Sequence, residues 1–313
     1  MIDLILLGCG GNMPMPNRYL SSLFINYQGR KILIDCGEGT QVSMRMKNCG
    51  FKNIDLICIT HLHGDHTIGL IGLLSTIANS SRTEDLTIVG PVGIIETMNA
   101  IRVLVEYLPY NINVVENPEG SFALLNKHLK DLEISTLNLE HSTECLGYSL
   151  YFNRKAKFNV EKANLNEVPK ILWQKLQEGR SIEYEGKLYT PNMVLGDDRK
   201  GIKISFITDT RPIFTIPEFI KNSDLFVCEA MYGDDLDISK AVKNKHMTFR
   251  EAANLANLGD VKQLLLTHFS PSLENPYDYI ENATSVFNNT IIGEDRLELH
   301  LNFDDENNDK IKR

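Results

Sequence analysis

Short runs of β-branched and aliphatic residues alternate with helical patterns along most of the chain. An uninterrupted apolar run between turn residues is typical of a strand, and apolar positions three and four apart are typical of an amphipathic helix. The strands predicted in this way are 2–7, 22–27, 31–35, 54–60, 86–89, 111–115, 121–125, 131–138, 147–152, 203–208, 224–228 and 262–267. The predicted helices are 40–48, 68–77, 93–107, 213–221, 248–258 and 276–286. The alternation indicates an α/β protein.

The alternation lapses between about Phe152 and Gly201, where charged residues and prolines interrupt the pattern. A helix over 168–177 and a small hairpin over 182–189 are the elements that this stretch supports. Because the stretch shows no apolar core of its own, we expect an inserted arm at about 151–200 on a single domain spanning 1–303. The polar tail 304–313 is expected to be disordered.

Composition narrows the class of protein. Hydrophobic residues make up 42% of the chain and charged residues 23%, which is ordinary for a globular protein. No apolar run reaches the roughly 18 to 20 residues of a membrane span, and the N-terminus looks like a strand rather than a signal peptide, so we expect a cytoplasmic protein. The six cysteines form no Cys-x-x-Cys pair, which argues against a disulfide framework or a cysteine-ligated zinc site.

Charge is unevenly distributed along the chain. The net charge of −9 argues mildly against a protein that coats itself with nucleic acid. Residues 151–190, however, carry eight Lys or Arg against five Glu. This segment is equally compatible with a solvated surface and with a binding surface.

The segment His61-Leu62-His63-Gly64-Asp65-His66 follows a buried strand and carries three imidazoles and a carboxylate. Zinc and similar divalent metals take their ligands from these residue types. In extended backbone, residues two apart point to the same side, so His61 and His63 can converge on one ion. A turn at Gly64 would let Asp65 and His66 face a second point. The alternative is a polar loop with incidental histidines.

Three further candidate ligands each follow a predicted strand. They are His141, Asp209 and His268. Each alone could be a polar residue that caps a strand. Together with the histidine-rich segment they predict a metal site, because ligands at the ends of rigid elements are held in place best.

These residues, in this order, resemble the metallo-β-lactamase superfamily and, within it, the ribonuclease Z family, which processes tRNA 3′ ends. The resemblance runs from residue 2 to about 270. It implies an αββα sandwich of two mixed β-sheets with helices on the outer faces, and commonly a homodimer. It also implies a zinc-dependent endoribonuclease that cleaves 3′ trailers from precursor tRNA by a two-metal mechanism with a bridging hydroxide. The segments that carry it, besides 61–66, are Gly8-Cys9-Gly10-Gly11, 35–41, His141 to Tyr148, Thr208-Asp209-Thr210-Arg211, Cys228-Glu229-Ala230 and His246-Met247-Thr248.

The resemblance also assigns roles to residues of this chain. One of two Zn²⁺ ions would be held by His61, His63 and His141, and the other by Asp65, His66 and His268. Asp209 would bridge the two, and Mn²⁺ or Fe²⁺ would suit the same ligands. The catalytic residues implied are Asp65 as proton acceptor and His246, oriented by Glu229, as the group that assists the leaving oxygen. Asp35 would hold a ligand imidazole in the right tautomer.

Substrate contacts are predicted at Arg18, Lys170 and Lys175. Arg18 lies in a loop that retains part of a family pattern at Pro14 and Arg18, and the two lysines lie in the arm, which lacks the family's Gly-Pro pair. Trp173 in the arm is more typical of a packing residue than of a base-stacking one. Two alternatives remain open: a phosphodiesterase of the same fold acting on cyclic nucleotides or small diesters, and a non-catalytic RNA-binding protein on a hydrolase scaffold.

Overall fold

The computed structural model describes residues 1–123, 126 and 128–303. The predicted tail at 304–313 and the end of the predicted strand 121–125 lie outside the described residues. The chain divides into two compact units. The first comprises Met1–Tyr151 and Ile202–Asn302, and the second comprises Phe152–Gly201 together with Phe303.

Strands and helices are numbered in chain order. The strands in the described residues are β1 Ile2–Gly8, β2 Ser22–Tyr27, β3 Arg30–Ile34, β4 Ile54–Cys58, β5 Leu86–Gly90, β6 Ile112–Glu116, β7 Gly120–Ala123, β8 Leu132–Asn138, β9 Leu146–Arg154, β10 Ile182–Tyr184, β11 Lys187–Tyr189, β12 Arg199–Ile207, β13 Leu225–Glu229, β14 Leu264–Thr267, β15 Thr290–Ile292 and β16 Leu297–Leu301. The α-helices are α1 Thr40–Met46, α2 Gly64–Thr67, α3 Gly69–Ala78, α4 Ile94–Leu104, α5 Val160–Leu165, α6 Trp173–Gln177, α7 Ile216–Ile220, α8 Ile238–Asn244, α9 Phe249–Leu258 and α10 Ile280–Thr284. Short 3₁₀ helices lie at Lys170–Leu172, Pro191–Met193, Asp235–Asp237 and Pro276–Tyr279.

Two mixed sheets, each of seven strands within the described residues, form the framework. The first has the order β16-β1-β2-β3-β4-β5-β6, and the second has the order β15-β14-β13-β12-β9-β8-β7. Strands β3 to β6 run parallel to one another, and so do β12 to β15. Each sheet therefore presents a row of carboxyl strand ends along one edge, which is where open α/β sheets bind ligands.

Helices cover the sheets because each has one apolar side. Helices α1, α3 and α4 bury Met44, Leu73 and Met98 against the first sheet, where every residue of β4 is buried. Helix α9 contacts β13 and β14 of the second sheet. A strand that is apolar throughout, as β4 nearly is, belongs in a parallel sheet with covered faces. None of the helices in the described part of the chain has the length and apolar character needed to cross a bilayer.

Most predicted elements are present, with ends that differ by a few residues. The predicted helix 93–107 is shorter and ends at Leu104. Five of the described strands and α-helices were not predicted: α2, α5, α8, β15 and β16. Each is short, and β16 alternates between exposed and half-buried positions at the edge of its sheet. Such segments bury too little apolar surface for a clear pattern.

The second unit has an apolar core, which corrects the expectation that this stretch has none. Its buried residues are Ala163, Val168, Leu172, Leu176, Tyr189 and Val194. Trp173 packs against this core: its indole nitrogen donates to the Val168 carbonyl at 2.9 Å, and its ring lies 4.9 Å from that of Phe158. The core was missed because its side chains come from short helices, a hairpin and loops rather than from one periodic segment.

Candidate metal centre and active site

The candidate site forms where the chain leaves the parallel strands. Asp35 follows β3, Asp209 follows β12 and His268 follows β14, and all three have positive φ angles of 61°, 47° and 60°. Asp and His are among the few residue types that adopt this left-handed conformation regularly, although it remains a strained one. The sharp turn at each position redirects the side chain at the strand end.

The histidine-rich segment turns from extended backbone into a helix. His63 is extended (φ −63°, ψ 152°) and precedes α2, whose residue His66 donates its N–H to the His63 carbonyl at 3.1 Å. The segment is fixed to the loop after β3 because the Cys36 N–H donates to the His66 carbonyl at 2.8 Å. This close approach requires glycine at position 69, where a Cβ would lie 2.2 Å from the Gly37 carbonyl oxygen. The change of direction separates His61 and His63 from Asp65 and His66.

One cluster of donor atoms contains three imidazoles and a carboxylate oxygen. His63 Nδ1 lies 3.0 Å from His61 Nε2 and 3.3 Å from His141 Nε2. Asp209 Oδ2 lies 3.5 Å from His61 Nε2 and 3.7 Å from His141 Nε2. All four side chains could hold one ion.

A second cluster uses the other oxygen of the same carboxylate. Asp209 Oδ1 lies 3.5 Å from His66 Nε2 and 3.2 Å from His268 Nε2. Asp65 Oδ2 lies 3.5 Å from each of these two nitrogens. Asp209 therefore directs one oxygen to each cluster, which is the arrangement of a carboxylate shared by two ions.

The spacing of these donors fits divalent metals. In a tetrahedral site with ligand bonds of about 2.0 to 2.1 Å, neighbouring donors are about 3.3 Å apart, and the separations above fall around that value. Burial lowers the pKa of His61 and of His141, which favours the neutral imidazole that a metal requires. At the second cluster burial lowers the pKa of His66, but the carboxylates of Asp209 and Asp35 outweigh burial and raise that pKa well above its usual range. These carboxylates therefore favour a positive charge at the second cluster.

Asp35 lies behind the second cluster and is completely buried. Its carboxylate accepts hydrogen bonds from the Thr60 N–H at 2.8 Å and the Thr60 hydroxyl at 2.9 Å, and it lies 2.8 Å from His66 Nδ1. If His66 Nδ1 carries the proton, Nε2 presents its lone pair to the cluster. Thr60 Oγ1 is also 3.1 Å from His61 Nδ1, so this threonine links Asp35, which itself contacts His66 of the second cluster, to His61 of the first.

The Gly10–Asn12 loop closes on the second cluster from the other side. The Asn12 N–H donates to Asp65 Oδ2 at 2.6 Å. Gly11 lies against the ring of His268, where a Cβ would come within 2.5 Å of Cε1. Burial raises the pKa of Asp65, but hydrogen bonds with His268 and His66 outweigh it and hold that pKa far below the usual range.

Glu229 and His246 form a pair beside the two clusters. His246 Nδ1 lies 3.1 Å from Glu229 Oε1, and Glu229, fully buried at the end of β13, also accepts the Thr210 N–H at 2.6 Å. Burial lowers the pKa of His246, but Glu229 more than offsets this, and the pKa is raised to about 9. The guanidinium of Arg211 donates to the His246 carbonyl and pairs with Glu251, which closes the capping box of α9. The imidazole is thus held with Nε2 left for the cavity.

An open cavity of about 830 Å³ lies over the clusters. The donor residues His63, Asp65, His141, Asp209 and His268 line it, together with His246. The remaining lining residues are Asn12, Pro14, Leu20, Glu38, Gly64, Ile68, Ser142, Met231, Tyr232, Lys243, Asn244, Lys245 and Ser270.

None of the three predicted substrate contacts is among the residues that line this cavity. Arg18 donates to the carbonyls of Ser270 and Glu274, both at 3.1 Å, and its guanidinium lies 6.0 Å from the ring centre of Phe269. The structure therefore gives Arg18 the role of anchoring the segment after His268. Lys170 and Lys175 are exposed in the second unit.

Several residues around the site were missed from the sequence: Asn12, Thr60, Arg211 as a clamp, Lys243 and Lys245. For the last two a signal was present, since Lys243-Asn244-Lys245 directly precedes His246.

Two mixed sheets with helices on their outer faces, and a doubled His/Asp cluster at the ends of strands from both sheets, define a metal-binding hydrolase of the metallo-β-lactamase fold. The structure of the short form of human tRNase Z has this fold, with a TM-score of 0.67 at 24% identity over 95% of this chain and 98% of that one. YhfI of Bacillus subtilis, a metallo-β-lactamase fold protein, gives a TM-score of 0.68 at 17% identity over 96% of this chain and all of that one. The predicted αββα fold is confirmed.

Sequence similarity gives the family. Ribonuclease Z of Clostridioides difficile is 73% identical over 97% of this chain and all of that protein. Ribonuclease Z of Clostridium beijerinckii is 60% identical over 98% of this chain and all of that protein. Residues 2–176 also match the family model described as Anti-Pycsar protein Apyc1. The chain belongs to the ribonuclease Z family, and its residues 2–176 also belong to the family that this model describes. The predicted resemblance is confirmed, and divalent metal binding goes with it.

Proposed function

We propose that this chain is an endoribonuclease that removes 3′ trailers from precursor tRNA. The observation that carries the proposal is the shared carboxylate of Asp209 between two donor clusters, beside the Glu229–His246 pair, in a chain so similar to ribonucleases Z. Phosphodiester cleavage needs charge neutralised on the phosphoryl group, a nucleophile and a proton for the leaving oxygen. The cavity brings groups suited to each of these requirements together.

We propose that His61, His63 and His141 hold one Zn²⁺, that Asp65, His66 and His268 hold the other, and that Asp209 bridges them. When bound, such ions polarise the phosphoryl group and lower the pKa of water toward neutrality. Asp65, ionised and fixed by the Asn12 N–H, accepts the proton of the attacking water. His246 donates a proton from Nε2 to the departing ribose oxygen while Glu229 holds Nδ1.

The test is cleavage of a precursor tRNA that carries a 3′ extension, with metal analysis of the same preparation. We expect endonucleolytic removal of the trailer and two Zn²⁺ per chain. Hydrolysis of bis(p-nitrophenyl) phosphate without cleavage of several precursor tRNAs would instead support the small-diester alternative. Binding of tRNA that is indifferent to Asp65→Ala, with no turnover in the parent, would support the non-catalytic one.

We also propose a homodimer, formed through the outer sides of α1 and α4. Both helices contact α3, and they leave large apolar side chains exposed, among them Met46 (56%), Val103 (81%) and Leu104 (68%). Exposed apolar side chains of this size favour burial in a protein interface over contact with water. Light scattering should give the mass of two chains for the parent and of one for Val103→Glu. A monomeric parent at micromolar concentration would contradict the proposal.

The second unit is proposed to contact the RNA through Lys170 and Lys175, which are exposed there. Trp173, half-buried and packed against the core of that unit, is proposed to support the unit and not to stack on a base. Its two neighbouring lysines can still bind phosphates, because an ammonium on a flexible stem needs no fixed geometry.

A further inference from the structure

Two lysines line the cavity, and both come from the C-terminal end of α8. They are Lys243 and Lys245. The carboxylates that line the cavity are Glu38, Asp65 and Asp209, and the last two belong to the donor clusters. The end of α8 therefore places two lysine ammonium groups on one side of the cavity.

Lys245 holds the C-terminal end of α8 in place. It caps α8 in the left-handed conformation (φ 57°), which glycine usually occupies and which strains a lysine. Its ammonium donates to the His141 carbonyl at 2.9 Å, and its own carbonyl lies 3.3 Å from His141 Nδ1. Lys245 thus joins the end of α8 to a residue of the first donor cluster.

Lys243 is different, because its ammonium has no hydrogen bond or ion pair with any of the described residues, and its side chain is exposed. We infer that Lys243 contacts a backbone phosphate of the RNA next to the scissile bond. The inference rests on the proposed function, which makes the substrate a polyanion. An ammonium on a flexible stem suits such a phosphate, and no carboxylate of the described residues competes for this ammonium.

A purely structural role for Lys243 makes a different prediction. A lysine in the last turn of a helix interacts favourably with the helix dipole. In that case its removal would lower thermal stability slightly and leave substrate affinity unchanged. Affinity and its salt dependence therefore separate the two roles.

The experiment compares Lys243→Gln with Lys240→Gln. Lys240 lies one turn earlier on α8, pairs with Asp237 at 2.6 Å and does not line the cavity. Cleavage of 3′-extended precursor tRNA is measured from about 50 to 200 mM salt. Loss of one lysine–phosphate interaction should make the slope of log(kcat/KM) against log[salt] less steep by about 0.7 to 0.9. At low salt we expect Lys243→Gln to lower kcat/KM about fivefold to tenfold, mainly through KM. Lys240→Gln should match the parent, and Lys243→Arg should recover most of the loss.

Three outcomes decide the matter. If the parent cleaves precursor tRNA and Lys243→Gln keeps the affinity and salt slope of Lys240→Gln, the inference is wrong and the proposed function stands. An equal loss on precursor tRNA and on bis(p-nitrophenyl) phosphate would indicate damage to the centre and would also overturn the RNA contact. If the parent hydrolyses the small diester but no precursor tRNA, the proposed function fails and the role of Lys243 fails with it.

Discussion

Replacing Asp209 by Ala should remove metal from both donor clusters and lower precursor tRNA cleavage by about 10³-fold or more. The carboxylate supplies one oxygen to each cluster, so its loss leaves three donors at each. Charge stabilisation by bound metal contributes several kcal/mol, and each 1.36 kcal/mol is about tenfold in rate. Metal content per chain and single-turnover cleavage are the measurements.

Asp209→Asn is needed beside the alanine variant. Position 209 has a φ of 47°, which strains alanine, whereas asparagine tolerates this conformation. The amide keeps the shape of the carboxylate without its charge, so a loss of metal in both variants is due to the missing ligand and not to backbone strain. Glu38→Gln is the matched control, because Glu38 lines the same cavity but belongs to neither cluster. Two ions retained in Asp209→Asn would contradict a bridging role.

The residues of the two donor clusters could be predicted to lie together because their chemistry is unusual and their positions are regular. Histidine and aspartate directly after apolar runs are visible in one dimension, and parallel strands bring their carboxyl ends to one edge. The way Asp209 divides its oxygens could not be predicted, because it depends on a left-handed turn. Nor could Thr60, whose hydroxyl connects Asp35 with His61 through folded geometry alone.

Other surroundings of the site were hidden for a related reason. Arg18 bonds to main-chain carbonyls more than 250 positions away, and no residue type in the sequence marks a carbonyl as a partner. Lys243 lies on α8 and Lys245 caps it, and this helix has too few apolar positions to be predicted. Without a predicted helix, the sequence does not indicate whether the side chains of this basic segment lie toward the cavity. Local sequence shows which residues have reactive side chains, and the fold determines which of those side chains lie at the site.

The largest effect expected without loss of metal is that of His246→Ala. His246 forms a further group of possible ligands with Glu229 and His268, but it belongs to neither of the two clusters that share Asp209. The metal content of His246→Ala should therefore equal that of the parent. General acid catalysis contributes about 10²- to 10⁴-fold, and kcat for precursor tRNA should fall by that factor. His300→Gln is the control, since His300 is an exposed histidine paired with Asp3 at 2.9 Å.

A second substrate distinguishes proton donation from a general defect at this position. The ribose oxygen of RNA is a poor leaving group and needs a proton as it departs, whereas p-nitrophenolate departs without one. His246→Ala should therefore reduce kcat far less for bis(p-nitrophenyl) phosphate than for precursor tRNA. Equal losses on both substrates with metal intact would show that His246 supports the geometry of the centre instead. In that case the buried contact with Glu229 would serve to hold the loop before α9 rather than to orient an acid.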